Sequence, residues 1–252
     1  MKKILILLIF VISIVFYSCG GDNNNTQRTT ESVDTILIPL YSYPVGEYSQ
    51  EWEKLYNFNT SKNVFVIVNV DNGPSNGTDN NYAVTISKLK EKGFYVIGYV
   101  YSNYTKRDIN LVKTDIDNWL QFYPGMLNGF FIDEVADHSY TYYAEIYNYI
   151  KYKNPKLYVV LNPGTVVDNS YWVISDKIVV FENSYNEFKK FNYSFNSQKS
   201  SNVCIIVYDV PDKTSFDDVK SKGLSLNSSC QYITNYNKDI YFYVSNYLWE
   251  LK

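Results

Sequence analysis

Short runs of β-branched and aromatic residues alternate with longer mixed polar stretches from residue 36 onward. Several runs are almost continuously apolar, including residues 64–68 and 178–181. Such runs are typical of parallel strands covered on both faces, because neither face is left to water. The pattern predicts eight strands, over residues 36–43, 63–70, 94–102, 129–135, 157–163, 177–183, 203–210 and 229–234.

The stretches between these strands carry helical patterns, clearest over residues 82–92, 108–122 and 139–151. Asp108 and Ser139 are expected to be N-caps, because short polar side chains accept hydrogen bonds from the free N–H groups of a first helical turn. Gly93 is expected to end the helix that precedes it.

The spacing of the strands indicates the fold. The predicted strands begin about 28 residues apart, and one βα unit needs about 30 residues. Eight units therefore use the chain from residue 36 to its end, which is the count and length of a single (β/α)8 TIM barrel of the α/β class. A doubly wound open sheet is the alternative, and we disfavour it because no Gly-rich phosphate loop follows an early strand.

The N-terminal segment has a different composition. Met1 is followed by two lysines, and residues 4–17 form an unbroken, mostly aliphatic run. A helix of that length spans about 21 Å, less than the roughly 30 Å hydrocarbon core of a bilayer. The segment is therefore predicted to be a signal peptide rather than a transmembrane helix.

Cys19 ends the segment Phe16-Tyr17-Ser18-Cys19, which resembles a bacterial lipobox with Phe16 where Leu is usual. We therefore expect a lipoprotein signal peptide over residues 1–18, lipidation at Cys19, and an Asn- and Thr-rich flexible tether over residues 19–34. A single domain follows over residues 35–252. The protein is then exported, periplasmic or at the cell surface, and touches the membrane only through its lipid anchor. An ordinary secretory signal with an incidental cysteine is the alternative.

Composition excludes several classes of function. The chain has one histidine, His138, and three cysteines in 252 residues. A zinc deacetylase that binds its metal through several histidines needs more histidine than this. The net charge is −3 with no basic block, which disfavours a nucleic-acid partner. We expect no metal, no cofactor and a monomer.

Cys204 and Cys230 lie near the starts of the seventh and eighth predicted strands, which are neighbours in a barrel. An oxidising compartment permits a disulfide between them if their Cα atoms lie about 5.5 Å apart. Two buried thiols are the alternative.

Tyrosine is unusually abundant, with 27 residues, beside 14 Phe and 4 Trp. Its ring has an apolar face and a hydroxyl group, which suits contact with sugar rings. A bias in base composition that raises Tyr, Asn, Lys and Ile together explains the number equally well.

Acidic residues end the fourth and sixth predicted strands. Asp133 and Glu134 follow Phe130-Phe131-Ile132, and Glu182 follows an apolar run. Burial of an acid without a partner is unfavourable, so each acid caps a helix, pairs with Arg107 or a lysine, or serves a function. Strands four and six are two apart at the C-terminal face, where barrels carry their active sites. The pattern favours a carboxylate pair suited to glycoside hydrolysis.

The alternation of side chains along a strand separates the two adjacent acids. If Phe131 faces the barrel interior, Asp133 does too, and Glu134 leans toward the rim. Polar and aromatic residues at the other strand ends are the candidate sugar contacts: Tyr41, Tyr43, Asn69, Asp71, Tyr99, Tyr101, Asn162 and Tyr208. Core packing is the alternative for each of these tyrosines.

Six blocks of the sequence carry a family resemblance. They are Ile38-Pro39-Leu40-Tyr41-Ser42-Tyr43-Pro44, Ile67-Val68-Asn69-Val70-Asp71-Asn72-Gly73-Pro74, Val96-Ile97-Gly98-Tyr99-Val100-Tyr101, Gly129-Phe130-Phe131-Ile132-Asp133-Glu134, Val160-Leu161-Asn162-Pro163-Gly164-Thr165 and Phe181-Glu182. In this order they resemble the spherulin-4 family of spherulation-specific cell-surface proteins. The resemblance runs from about residue 35 to residue 210 and weakens in the last two βα units.

That family is similar to fungal barrel hydrolases that cut α-1,4-linked N-acetylgalactosamine, and more distantly to endo-α-1,4-polygalactosaminidases. The resemblance implies an endo-acting glycosidase with a polysaccharide substrate. It puts Asp133 and Glu134 at the family's Asp-Glu pair, and Glu182 at its glutamate after the sixth strand.

By analogy with other barrels that cleave α-glycosides, Asp133 is expected to be the nucleophile and Glu182 the general acid/base. Glu134 is expected to orient or tune one of them. Exchange of the roles of Asp133 and Glu182 fits the sequence equally well. A non-catalytic carbohydrate-binding barrel, acting as an adhesin or matrix protein, is the alternative, but a binding protein has no need for all three acids.

Overall fold

The computed structural model describes residues 32–237 and 241–252, without the side chains of residues 197–199. The predicted signal peptide, Cys19 and most of the predicted tether lie outside these residues. Within the described part of the chain, no helix combines the length and the apolar character needed to cross a bilayer.

Eight parallel strands form a closed barrel in sequence order. They are β1 (Thr35–Leu40), β2 (Asn63–Val68), β3 (Tyr95–Tyr101), β4 (Gly129–Asp133), β5 (Tyr158–Leu161), β6 (Lys177–Ser184), β7 (Val203–Tyr208) and β8 (Cys230–Ile233). Pairing of Thr35 with Cys230 closes the barrel between β1 and β8. The predicted TIM barrel is confirmed. Most strands end slightly before their predicted limits, because the polar residues there leave the ladder for the loops of the C-terminal face.

Helices cover only part of the barrel. They are α1 (Ser49–Asn57), α2 (Asn80–Glu91), α3 (Ile109–Phe122), α4 (Tyr140–Lys153), α5 (Tyr185–Phe188) and α6 (Lys213–Ser225). The three clearest predicted helices are α2, α3 and α4. The connection from β5 to β6 carries only a 3-10 turn over Asn169–Val173, and α5 has a single turn. The flank around β6 is therefore covered mainly by loops.

The three residues predicted to lie at helix ends occupy those positions in the structure. Asp108 caps α3 by accepting a hydrogen bond from the backbone N–H of Asn110 at 2.8 Å. Gly93 follows α2 with φ of +80°, a left-handed conformation that favours glycine. Ser139 occupies the N-cap position of α4 as predicted, although its side chain makes no capping bond. Instead its backbone N–H donates to the Tyr171 hydroxyl at 2.8 Å.

Aromatic side chains fill the N-terminal end of the barrel. The rings of Phe65, Tyr95 and Tyr158 lie 4.6 to 5.5 Å apart, and Lys177 Nζ lies 5.1 Å from the centre of the Phe65 ring. Since β2 and β6 are on opposite sides of the barrel, Phe65 and Lys177 meet across its interior. Burial there lowers the pKa of Lys177 to about 8. This packed end leaves the C-terminal face for function.

A disulfide joins Cys204 to Cys230. The two residues are direct partners in the β7–β8 ladder, with Cα atoms 4.4 Å apart. This settles the choice between a disulfide and two buried thiols in favour of the bridge.

Candidate active site

Strands β4, β5 and β6 bring two carboxylates and one amide together at the C-terminal face. Asp133 ends β4, Glu182 lies near the end of β6, and Asn162 follows β5 between them. Nδ2 of Asn162 donates to Oδ1 of Asp133 at 2.7 Å and to Oε2 of Glu182 at 2.5 Å. The other amide atom, Oδ1, accepts from the backbone N–H of Gly164 at 3.1 Å, which fixes the orientation of the amide.

This bridge limits the distance between the carboxylates. Because both hydrogen bonds start from Nδ2 of Asn162, the distance between Oδ1 of Asp133 and Oε2 of Glu182 cannot exceed the sum of their lengths, 2.7 Å and 2.5 Å. Retaining glycosidases hold their carboxyl groups about 5–5.5 Å apart, and inverting enzymes need about 6.5–9.5 Å to admit a water molecule. The arrangement therefore matches the retaining class.

Two tyrosine hydroxyls bind the remaining carboxylate oxygens. Tyr99 donates to Oδ2 of Asp133 at 2.8 Å, and Tyr241 donates to Oε1 of Glu182 at 2.5 Å. Tyr41 lies between these tyrosines, edge-on to the Tyr99 ring at 5.4 Å and to the Tyr241 ring at 5.5 Å. All four oxygens of the carboxylate pair thus accept a hydrogen bond, which fixes both side chains.

Burial raises the pKa of both Asp133 and Glu182, because their charged forms lose water. The nearby Asp133 charge raises the pKa of Glu182 further. Hydrogen bonds oppose this effect unequally. Asp133 accepts from Tyr99, Asn162 and the backbone N–H of Glu134, whereas Glu182 accepts only from the side chains of Tyr241 and Asn162. The two acids therefore titrate as a coupled pair, in which Asp133 has more donors to stabilise its charged form than Glu182 has.

Glu134 turns away from Asp133 at the rim. Its φ is +55°, in the left-handed region, and its backbone carbonyl accepts from Tyr104 N–H at 2.8 Å and from the Ser102 hydroxyl at 2.8 Å. Partial burial and the charge of Asp133 raise the pKa of Glu134. The third acid therefore adds negative charge beside the pair without joining it.

A cavity of about 600 Å³ opens above these acids. That volume lies within the range of roughly 300–1,000 Å³ that is usual for small-molecule sites. It is lined by Tyr104, Asp133, Glu134, Asn162, Pro163, Gly164, Glu182 and Tyr208. The Tyr208 hydroxyl donates to Oδ1 of Asn183 at 3.1 Å. Of the predicted sugar contacts, Asn162 and Tyr208 thus line the cavity, and Tyr41 and Tyr99 pack next to its acids.

The structure does not bring the other four predicted sugar contacts to this cavity. The Tyr43 hydroxyl bonds to Asp79 and Asn81 at the start of α2. Oδ1 of Asn69 accepts from Gly73 N–H and closes a turn.

The last two of the four, Asp71 and Tyr101, line a separate cavity of about 190 Å³ with Arg107. The Arg107 guanidinium lies 4.1 Å from the centre of the Tyr101 ring. It forms an ion pair with Asp115 at 2.6 Å rather than with either acid of the carboxylate pair. The cation partner considered for those acids is therefore engaged elsewhere.

Sequence reasoning missed two tyrosines of the site. Tyr241 lies beyond the end of β8 and reaches Glu182 through closure of the barrel. Tyr104 lines the cavity from a turn in which Asn103, Tyr104 and Thr105 all have left-handed φ values, 50°, 50° and 71°. Three consecutive non-glycine residues in this region are unusual, and such strain is characteristic of functional sites. The aromatic run Tyr241-Phe242-Tyr243 after β8 is the sequence signal that could have indicated Tyr241.

The sequence pattern described as "Spherulation-specific family 4" matches residues 35–251. Spherulin-4 of Physarum polycephalum is 37% identical over 173 residues, which cover 67% of this chain and 50% of Spherulin-4. The chain therefore spans about half the length of this curated relative.

Sph3 of Aspergillus clavatus, solved in complex with GalNAc, has a similar structure. The TM-score is 0.73 at 24% identity, and the alignment covers 88% of this chain and 96% of Sph3. The likeness establishes a shared barrel fold.

Proposed function

The chain belongs to spherulation-specific family 4, and from this membership and its carboxylate pair we propose that it is a glycoside hydrolase acting on an amino-sugar polysaccharide. The observation that carries the proposal is the bridge from Asn162 to both Asp133 and Glu182. Two carboxylates at this distance that share one proton have the protonation states that glycoside hydrolysis requires.

The hydrogen bonds support one assignment of roles. Asp133 has more donors and is ionised, so it attacks the anomeric carbon as the nucleophile. Glu182 holds the proton and gives it to the leaving glycosidic oxygen. In the second step Glu182 takes a proton from water, and that water releases the sugar from Asp133 with net retention of configuration. Glu134 tunes the pair through its charge and through the backbone N–H that it donates to Asp133.

The proposed substrate is a polymer of α-1,4-linked galactosamine or N-acetylgalactosamine, cut internally. Two observations support this choice: the family membership, and the fold shared with Sph3, which was solved in complex with GalNAc. The aromatic surroundings of the acids suit a sugar ring, which has both an apolar face and hydroxyl groups.

Release of reducing ends from partially deacetylated galactosaminogalactan tests the proposal. We expect oligosaccharides from the wild-type domain and none from Asp133→Asn or Glu182→Gln. Glu145→Gln is the matched control, because Glu145 is an exposed acid on α4 that pairs with Lys113. Retention of the polymer on an affinity column without release would instead identify a non-catalytic binding barrel. Neither release nor retention would rule out this polymer as the substrate.

The proposal extends to export and anchoring through Cys19. Metabolic labelling with a radioactive fatty acid in a bacterial host tests it. We expect label in the wild-type protein and none in Cys19→Ser. Secretion of an unlabelled wild-type protein would contradict the lipid anchor and favour an ordinary signal peptide.

A further inference from the structure

The thin helical cover around β6 leaves two cavities on the flank of the barrel. The first, of about 370 Å³, is lined by residues of the β5–β6 and β6–β7 connections, including Thr165, Lys190 and Phe191. The second, of about 430 Å³, is lined further along the same connections by residues that include Trp172 and Tyr193. We call the two together the flank groove.

The first flank cavity adjoins the catalytic cavity, and the second lies further along the same two stretches of chain. Gly164 lines both the catalytic cavity and the first flank cavity. Along the same stretch, Thr165 lines the first flank cavity and Val166 the second. On the opposing stretch, Phe191 lines the first and Tyr193 the second. One extended molecule can therefore follow the two stretches from the acids to the flank.

Gly164 shapes the entrance to this path. Its φ is +63°, and its carbonyl accepts a hydrogen bond from the backbone N–H of Glu182 at 3.2 Å. The left-handed turn directs the chain after β5 outward over β6. The same turn donates its N–H to Asn162, so the entrance and the carboxylate bridge are built on one backbone segment.

Aromatic rings line the groove in sequence. Phe191 packs on Phe181 with ring centres 4.8 Å apart. Phe195 contacts Tyr193 at 4.6 Å and Trp172 at 6.4 Å. Tyr193 remains 42% exposed, so its ring is open to a ligand. Trp172 and Phe191 are partly buried, whereas Phe181 and Phe195 are buried. Partly exposed rings such as Tyr193, Trp172 and Phe191 suit contact with sugar units.

Amide and hydroxyl groups accompany these rings. Asn169, Ser194 and Asn196 line the second cavity, and Asn183 lines the first. Such groups match sugar hydroxyls and acetamido groups, and they make the groove too polar for an acyl chain. Of the described residues that line the groove, Glu187 and Lys190 are the charged ones, and they pair with each other at 2.7 Å. The groove therefore suits uncharged, N-acetylated sugar units.

We propose that the flank groove is an extension of the substrate site that binds N-acetylated sugar units remote from the bond to be cut. The inference rests on the proposed function, since the occupant is the same polysaccharide. Binding energy from remote units supports orientation and distortion at the reacting centre. Long chains are therefore bound more tightly and cut faster than short ones.

Calorimetric binding of α-1,4-linked N-acetylgalactosamine oligosaccharides to the Glu182→Gln protein tests this. We expect oligosaccharides of about eight units to bind at least tenfold more tightly than those of two units, a difference of about 1.4 kcal/mol or more. Addition of Tyr193→Ala should remove most of that difference and leave the affinity for the short oligosaccharide unchanged. Tyr193→Phe, which keeps the ring, should retain the difference.

Tyr152→Ala is the control, since Tyr152 is an 85% exposed tyrosine on α4. An unchanged melting temperature of Tyr193→Ala establishes that the fold is intact. Equal affinity for short and long oligosaccharides would overturn the groove, and so would an equal loss of affinity for both on Tyr193→Ala. The cleavage assay of the wild type judges the hydrolase separately. Length-dependent binding through Tyr193 without any cleavage would overturn the hydrolase and leave the groove. Binding of neither oligosaccharide would overturn the groove, and the cleavage assay would still judge the hydrolase.

Discussion

Asp133 and Glu182 accept hydrogen bonds from one and the same nitrogen, Nδ2 of Asn162. The shared donor holds the two carboxyl groups close together, and it lowers the free energy of the ionised form of each. Because the next lone pairs are taken by Tyr99 and Tyr241, neither carboxyl can rotate without losing a bond. The site is thus organised before a substrate arrives.

Retention of configuration follows from the close carboxylates. We expect the first product seen by proton NMR after addition of enzyme to be the α-anomer, with the β-anomer appearing later by mutarotation. Initial appearance of the β-anomer would contradict the prediction and require a carboxylate separation wide enough for a water molecule.

Substitution of Tyr99 and Tyr241 tests the proposed roles of Asp133 as nucleophile and Glu182 as acid. Tyr99→Phe removes a donor from Asp133 and raises its pKa, so the acidic limb of the pH profile of kcat/KM should move to higher pH. Tyr241→Phe does the same to Glu182, so the alkaline limb should move to higher pH. The free energy of a hydrogen bond to a charged group corresponds to a shift of each limb by about one pH unit. The opposite pattern of shifts would exchange the two roles.

Asn162→Ala removes the donor that both acids share. Both limbs of the pH profile should move to higher pH, because the pKa of each carboxyl rises without the amide. We expect kcat to fall by roughly 10²-fold, the scale of a general acid or base contribution. A fall in kcat with both limbs unmoved would assign Asn162 a merely structural role.

Stability should vary with pH in a defined direction. The pKa of Glu182 is raised in the folded state, so below about pH 4 the side chain is protonated in both states and carries no penalty. As the pH rises, the unfolded chain ionises first and stability falls. The melting temperature of Glu182→Gln minus that of the wild type should therefore increase from pH 4 to 7. The increase should be about 3–5 °C for each pH unit by which the pKa of Glu182 in the folded state exceeds its pKa in the unfolded state.

Glu145→Gln, which removes one exposed charge on α4, is the control for this comparison. A difference between Glu182→Gln and wild type that shrinks toward neutral pH would contradict a raised pKa at Glu182.

The disulfide between β7 and β8 should stabilise the barrel at its closing strands. Cys204 and Cys230 are 26 residues apart in sequence, and a loop of that size supports about 3.5 kcal/mol through lost entropy of the unfolded chain. In urea denaturation, the free energy of unfolding of the double variant Cys204→Ala/Cys230→Ala should be lower than that of the wild type by that amount. Reductant should destabilise the wild type and leave the double variant unchanged. Equal sensitivity of both proteins to reductant would contradict the assignment.

The local sequence pattern was sufficient to predict the fold, because the residue types of each strand depend on whether its faces are buried or exposed. The continuous apolar run at residues 64–68 indicates a strand buried on both faces, and the acid that ends β4 indicates where the barrel opens. The same reasoning placed Ser139 at the N-cap of α4, but it did not show that the Ser139 side chain makes no capping bond. It failed for the cover of β6, since a loop that packs against a barrel needs no helical period.

The sequence by itself determined the order of the strands, the family and the three acids, since these depend on the spacing and identity of residues close together in the chain. Only the tertiary structure decided which polar groups meet. Tyr241 bonds to Glu182, and Asn162 joins two strands, because a closed barrel brings the ends of all its strands to one mouth. At equally suitable strand ends, Tyr43 bonds to Asp79 at the start of α2 and Asn69 bonds within its own loop instead. Side-chain direction and loop closure depend on contacts between distant residues, and no local period records them.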